Sequence, residues 1–85
     1  MPRNPVVDAL GWLGAALLLL AYFLVSSRRA HGGSLAYQGL NAAGSVLLGI
    51  NSLYYGAIPS AFVNAAWLAI AVYGAVRAAR EHAAD

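Results

Sequence analysis

The chain has no cysteine and no lysine, and only 9% of its 85 residues are charged. Without cysteine it can form neither a disulfide nor a thiolate metal site. The five basic residues are all arginines, and they stand near the ends of the apolar segments rather than in a stripe. A nucleic-acid-binding protein carries its basic residues as a patch or stripe, so we expect no nucleic-acid partner.

Charge is missing altogether from the central half of the chain. No Asp, Glu, Lys or Arg occurs between Ala30 and Val76, and 61% of all residues are hydrophobic. A soluble domain carries roughly 25% charged residues, and a domain of this size cannot bury so much apolar surface. We therefore predict a single all-α membrane domain over residues 1–85, with the lipid bilayer as its solvent.

The uncharged run is too long for one membrane helix. As a single helix it would extend roughly 70 Å, against a hydrocarbon thickness of about 30 Å, so it must fold back once. The stretch Gly56–Ser60 suits the turn, because glycine ends helices and proline is favoured in their first turn. The predicted bundle has three transmembrane helices, over residues 7–27, 34–56 and 60–80.

The first apolar segment has an alternative interpretation as a cleaved signal peptide. Its leading region has a single arginine opposed by Asp8, and Arg28 and Arg29 follow the apolar run, which favours a retained helix. Four arginines on one side of the membrane and only Arg3 on the other predict the orientation. We expect a multi-pass protein of the bacterial inner membrane, with its N-terminus outside and its C-terminus cytoplasmic.

The second helix carries polar residues at helical spacing. Tyr37, Asn41, Gly44, Asn51 and Tyr55 fall on one side, and a stripe of small residues lies beside them. On the neighbouring helices the inward faces are predicted to hold Gly11, Gly14, Ala15, Leu18, Ala21 and Tyr22 (first helix) and Ser60, Asn64, Trp67, Ala71 and Gly74 (third helix). Small residues there allow close approach of helices.

Buried side-chain amides cost several kcal/mol in hydrocarbon unless they are hydrogen-bonded. One interpretation is that Asn41, Asn51 and Asn64 bond one another and hold the helices together. The other is that amides and aromatic rings form a pocket for a neutral polar solute. The candidate site residues are Asn64, Asn51 and Trp67 as solute contacts, Asn41, Tyr37 and Gln38 as a cytoplasmic gate, and Tyr55.

No residues for catalysis or metal binding are expected at membrane depth. Asp8 lies at the outer edge, and His31 and His82 are too isolated to form a metal site or a catalytic base. Ser26 and Ser27 have no His–Asp arrangement to activate them. We predict no enzyme activity, no cofactor and no metal.

The chain resembles the bacterial SemiSWEETs, half-sized relatives of the SWEET sugar transporters in the PQ-loop group. The likeness rests on a loop ending in Gly33-Ser34, on Gly44, on the bend and on Asn64. It implies a parallel homodimer of three-helix units packed in the order 1-3-2, in which Asn64 takes the place of an asparagine that touches sugar. The chain lacks the Pro-Gln pair of that group.

The chain is also similar to a set of small, mostly uncharacterised bacterial three-helix membrane proteins. The shared pattern is Gly11-Trp12, Ala21-Tyr22, Tyr37-Gln38, Asn41, Gly44, Pro59-Ser60, Asn64 and Trp67. This resemblance implies that the chain is a member of that set of proteins, and it implies no particular activity. We expect a homodimeric carrier that moves a small neutral polar or lipid-like solute by alternating access. The alternative is a non-transporting assembly module whose asparagines join helices.

Overall fold

A computed structural model describes residues 3–84, with side chains as far as Glu81. Within these residues the chain forms three helices and no strand, in a body of 50 × 23 × 18 Å. The helices are α1 (Pro5–Ser26), α2 (Leu35–Tyr54) and α3 (Ile58–Ala84). The all-helical prediction is confirmed. The observed helix bounds differ from the predicted ones by one or two residues at five of the six ends, and α3 continues four residues further than expected.

Side-chain caps begin the first two helices. The Asn4 Oδ1 accepts hydrogen bonds from the backbone amides of Val6 and Val7, at 3.0 and 3.2 Å, and proline follows at the first helical position. The Ser34 hydroxyl caps α2 by accepting from the Tyr37 amide at 3.1 Å. Each cap satisfies amides that have no partner inside the helix, so the helix starts are set locally.

The chain reverses after α2 through a turn that glycine permits. Gly56 has a φ of +73°, and the following amide of Ala57 donates to the Ser52 carbonyl at 2.8 Å. This is a Schellman motif, in which a left-handed residue closes the helix end. Only three residues separate α2 from α3. The predicted fold-back is confirmed, and it makes α2 and α3 antiparallel neighbours.

The end of α1 uses the same motif with a less suitable residue. Arg28 has a φ of +62°, and the Arg29 amide donates to the Leu24 carbonyl at 2.8 Å. A side chain with a Cβ is disfavoured in the left-handed region, where glycine is accommodated freely.

Helix α2 lies between the other two. It contacts both α1 and α3, whereas α1 and α3 do not contact each other within residues 3–84. The expected order 1-3-2 is therefore wrong, and the observed order is 1-2-3. The physical reason is that adjacent faces of α2 each accept one helix, with Gly44 against α1 and the side of Ser45 towards α3.

The two contact faces of α2 set the width of the fold. Successive residues on a helix point about 100° apart around its axis. In a bundle in which all three helices touch one another, the two contact faces of each helix are only about 60° apart. With contact distances of 8–10 Å between axes, α1 and α3 lie roughly 14 Å apart. An open cleft therefore runs along α2 between the two outer helices.

Glycines bring α1 and α2 into close contact. A Cβ added at Gly14 would lie 2.9 Å from the Gly44 carbonyl oxygen, and a Cβ at Gly44 would lie 2.9 Å from the Gly14 carbonyl oxygen. One turn away, a Cβ at Gly11 would lie 2.5 Å from the Asn51 amide nitrogen. The two backbones touch directly here, which no larger residue allows.

Large apolar residues lie on the outside of the molecule and small ones inside. The buried hydrophobic residues are Val7, Ala21, Ala61 and Ala71. By contrast, Trp12 is 79% exposed and Phe62 is 73% exposed. Tyr22 is exposed as well, so its expected inward position on α1 is wrong. Helix α1 and the segment Ile58–Glu81 are each long and apolar enough to cross a membrane, and few of their residues are buried.

The glycine contact predicts a position-specific effect of alanine. Gly14→Ala should destabilise the protein by about 1–3 kcal/mol, because the new methyl group meets backbone atoms that cannot move aside. Gly39→Ala is the matched control, since a Cβ there meets nothing within 4 Å, and it should be neutral or stabilising by up to about 1 kcal/mol. Unfolding in detergent, followed by far-UV circular dichroism, measures both. Equal effects of the two substitutions would refute the close contact.

The strained turn after α1 predicts a stabilising change. Arg28→Gly should raise the free energy of unfolding by up to about 1 kcal/mol, because glycine adopts the observed φ without a steric penalty. Arg29→Gly, one residue along, has no such benefit and serves as the control. A stabilisation by Arg29→Gly alone, in the same unfolding assay, would contradict the assignment of strain to Arg28.

Candidate functional site

A buried amide links the central helix to α3. The Trp67 indole Nε1 donates to the Asn41 Oδ1 at 3.2 Å, and the Asn41 Nδ2 donates to the Tyr37 carbonyl oxygen at 2.9 Å. Asn41 is only 6% exposed. Both ends of its amide are thus occupied, and its main effect is to hold the indole of Trp67 in a fixed orientation.

The orientation of Trp67 creates an open groove between α2 and α3. Trp67 is 49% exposed, which leaves part of the indole free. The groove has a volume of about 210 Å³ and is lined by Tyr37, Gln38, Asn41, Trp67, Ile70 and Ala71. Four of the seven predicted site residues therefore come together here. No lining residue is charged.

Gln38 fixes the end of this groove. Its Nε2 donates to the Gly32 carbonyl oxygen at 2.9 Å, which ties α2 to the loop before it. Its side chain also lies against Gly74 of α3, where an added Cβ would be 2.5 Å from the Gln38 Nε2. Gly74 therefore makes room for the amide, and the Gln38 Oε1 accepts from no donor among the described residues.

Asn51 and Tyr55 lie at a different interface, between α1 and α2. The Asn51 Nδ2 donates to the Val7 carbonyl oxygen at 3.0 Å. The Tyr55 hydroxyl donates to the Asp8 carboxylate and accepts from the Asn4 amide at 2.9 Å. Neither residue lines the Trp67 groove. Their contacts join α1 to α2 near the start of α1.

Asn64 lies on a third side of the bundle. Its Nδ2 donates to the Ser60 carbonyl oxygen of its own helix at 2.9 Å. The Ser60 hydroxyl in turn shares a 2.9 Å hydrogen bond with Ser52 of α2. Asn64 lines a separate, mostly apolar groove with Gly49 and Ser45. Within the described chain, no two of Asn41, Asn51 and Asn64 bond each other.

A cluster of polar groups closes the end where α1 begins, and we name it the α1–α2 clasp: Arg3, Asn4, Asp8, Tyr54 and Tyr55. Arg3 pairs with Asp8 at 2.9 Å, and its guanidinium lies 4.7 Å from the centre of the Tyr55 ring. The Tyr54 and Tyr55 rings meet edge to face at 5.0 Å. Burial and then the hydrogen bond to Asp8 raise the pKa of Tyr55 above its ordinary value.

Sequence reasoning missed the clasp. It placed Asp8 at the start of a helix and counted Tyr55 in the pocket, but it did not join the two. A signal was available, because two consecutive membrane helices joined by a short loop are antiparallel, which brings the start of α1 to the end of α2. The described residues contain no group of three His, Asp or Glu side chains placed to hold a metal. The side chain of His82 lies outside the described residues.

Residues 7–82 match the model of an uncharacterised protein family, which covers nearly all of the three helices. The chain belongs to this family. No curated protein matches the chain, and no solved structure does. None of these comparisons connects the chain to the SemiSWEETs or to the PQ-loop group. Membership therefore supplies no activity, and a function has to be argued from the groove.

The raised pKa of Tyr55 predicts a loss of stability in alkali. The folded protein holds the phenol proton more tightly than the unfolded chain, so the stabilisation is complete below about pH 10 and is lost as the pH rises through the folded-state pKa. Unfolding measured between about pH 9 and 12 should show a steeper decline for the wild type than for Tyr55→Phe. Tyr73→Phe, outside the clasp, should decline like the wild type. Identical pH dependence of all three proteins would contradict the role of the clasp.

Proposed function

We propose that the chain is a three-span membrane protein that binds a small neutral solute in the Trp67 groove and carries it across the bilayer as a homodimer. The observation that carries this proposal is the half-exposed indole of Trp67, fixed by Asn41, on an otherwise apolar exterior. A recess that combines an aromatic surface with a few polar groups is typical of a binding site.

The distribution of residues supports placement in a membrane. Large hydrophobic side chains such as Leu19 and Ile70 are more than 60% exposed, which water would penalise and lipid would not. Helix α2 is less apolar than its neighbours, but α1 and α3 cover two of its faces. Its 20 residues extend about 30 Å, which matches the thickness of the hydrocarbon core.

The groove favours a neutral solute that can stack and accept or donate hydrogen bonds. The free part of the Trp67 indole offers a flat aromatic surface, and the Gln38 Oε1 offers an acceptor. No charged side chain lines the groove to balance an ionic solute. A sugar, a polyol or a small heterocycle has the required chemistry.

The contacts between helices support a motion of α3 within this proposal. The glycine contact joins α1 and α2 backbone to backbone, so these helices act as one rigid pair. Helix α3 is joined to α2 by the Ser52–Ser60 bond and by the Trp67–Asn41 bond. We propose that α3 rocks against the α1–α2 pair. Because the helix order is 1-2-3, the motion differs from that implied by the SemiSWEET arrangement.

Fluorescence and flux together test the proposal. In a Trp12→Phe background Trp67 is the only tryptophan, so a bound solute should change its emission. In liposomes, one of a panel of neutral solutes should cross faster with protein than without it, and Trp67→Phe should slow this flux about 10-fold or more. Trp12→Phe, on the exposed side of α1, is the matched control. The carrier proposal would be refuted if no solute crossed faster with protein than without it. It would also be refuted if Trp67→Phe left the flux unchanged.

The second candidate is a non-transporting assembly module, and specific contacts favour it. The Asn51 Nδ2 donates to the Val7 carbonyl oxygen of α1, and the Asn64 Nδ2 donates to the Ser60 carbonyl oxygen within α3, so neither amide points into the Trp67 groove. An interhelical bond such as that of Asn51 contributes about 0.6–2 kcal/mol. A protein that self-associates in detergent, loses stability with Asn51→Ala, and moves no solute would identify this function instead.

A further inference from the structure

The end of α3 carries an amphipathic surface that the Trp67 groove does not use. Tyr73, Val76, Arg77 and Arg80 follow one another at helical spacing, so they share one face of α3. Tyr73 is 66% exposed and Val76 is 47% exposed. Two arginines thus lie at the end of an exposed apolar and aromatic surface.

Open grooves lie on both sides of Arg77. One, of about 350 Å³, runs between α2 and α3 and is lined by Gln38, Ile70, Tyr73 and Arg77 among others. The other, of about 470 Å³, is formed by Tyr73, Val76, Arg77 and Arg80 alone. The first groove is also lined by Glu81, the partner of Arg77, whereas the second combines apolar walls with two guanidinium groups and no carboxylate.

The guanidinium groups retain donors for an anion. Arg77 uses its Nε to pair with Glu81 at 3.1 Å, which leaves its two terminal nitrogens free of described carboxylates. No described carboxylate pairs with Arg80. A guanidinium binds the oxygens of a phosphate through paired N–H groups. A partner with both a phosphate and an alkyl chain would match the arginines and the apolar wall beside them.

We propose that this face of α3 binds an anionic phospholipid, with the phosphate on Arg77 and Arg80 and an acyl chain along Ile70, Tyr73 and Val76. Charge complementarity selects an anionic over a zwitterionic headgroup, because Arg80 has no described carboxylate partner and Arg77 keeps its two terminal nitrogens for a phosphate. The inference rests on the proposed membrane placement of α3, but it does not depend on solute transport.

Lipid retention in the mass spectrometer provides the test. The detergent-solubilised full chain is mixed with equal amounts of phosphatidylglycerol and phosphatidylcholine, and the lipids that stay bound are counted. The wild type should retain phosphatidylglycerol preferentially. The double variant Arg77→Gln/Arg80→Gln should lower this preference at least about five-fold, since each arginine near an anionic surface contributes about that factor.

A charge-matched control distinguishes lipid binding at a defined site from general attraction to the positive charge at this end of the bundle. Arg28→Gln/Arg29→Gln removes the same charge at the same end but lies outside the grooves, so it should leave most of the preference intact. Equal loss in both double variants would overturn the site. Inorganic phosphate is added as a further probe, and displacement of phosphatidylglycerol by an equal concentration of phosphate would overturn the lipid assignment. Far-UV circular dichroism checks that each variant keeps its helices, so that failure of the lipid site is distinguished from failure of the membrane fold.

Discussion

The arrangement of the bundle depends on the direct contact between Gly14 and Gly44. Because neither residue has a side chain, the backbones of α1 and α2 meet, and α1 covers one face of the central helix completely. Helix α3 follows after a turn of three residues and must pack beside α2. It therefore packs against the face of α2 next to the one that contacts α1. The helix order, the cleft and the exposure of Trp67 all follow from this division of α2 between two neighbours.

The polar side chains inside the bundle serve two different purposes. Asn51 and Asn64 donate to backbone carbonyl oxygens, Asn51 across the α1–α2 interface and Asn64 within α3, and these bonds direct both side chains away from the Trp67 groove. Asn41 instead accepts from the Trp67 indole, and this bond holds an aromatic surface in a recess that remains open. The same residue type therefore joins two helices at Asn51, bonds its own helix at Asn64, and positions an aromatic side chain at Asn41.

Part of this structure could be predicted from the sequence, and the physical reason is clear in each case. The fold-back was predictable because Gly56 and Pro59 impose local backbone conformations. Helical spacing predicted that Tyr37, Gln38 and Asn41 lie together on neighbouring turns of α2, but it placed Trp67 with Asn51 and Asn64 rather than beside Asn41. The partners of Asn51 and Asn64 could not be predicted. The spacing of residues gives their depth along a helix, but it does not say which neighbouring helix each face contacts. The order 1-3-2, which came from a resemblance, was wrong for the same reason.

Gly56 lies at one end of the longest helix, and this gives α3 the mechanics of a lever. Helix α3 has 27 residues and extends about 40 Å from the turn. A change of 10° at Gly56 would barely disturb the Ser52–Ser60 bond beside it, yet it would displace the far end of α3 by roughly 7 Å. Arg77 and Arg80 lie near that far end. A lipid bound there would oppose the rotation of α3 more effectively than one bound close to Gly56. The composition of the bilayer would then set the stiffness of the hinge.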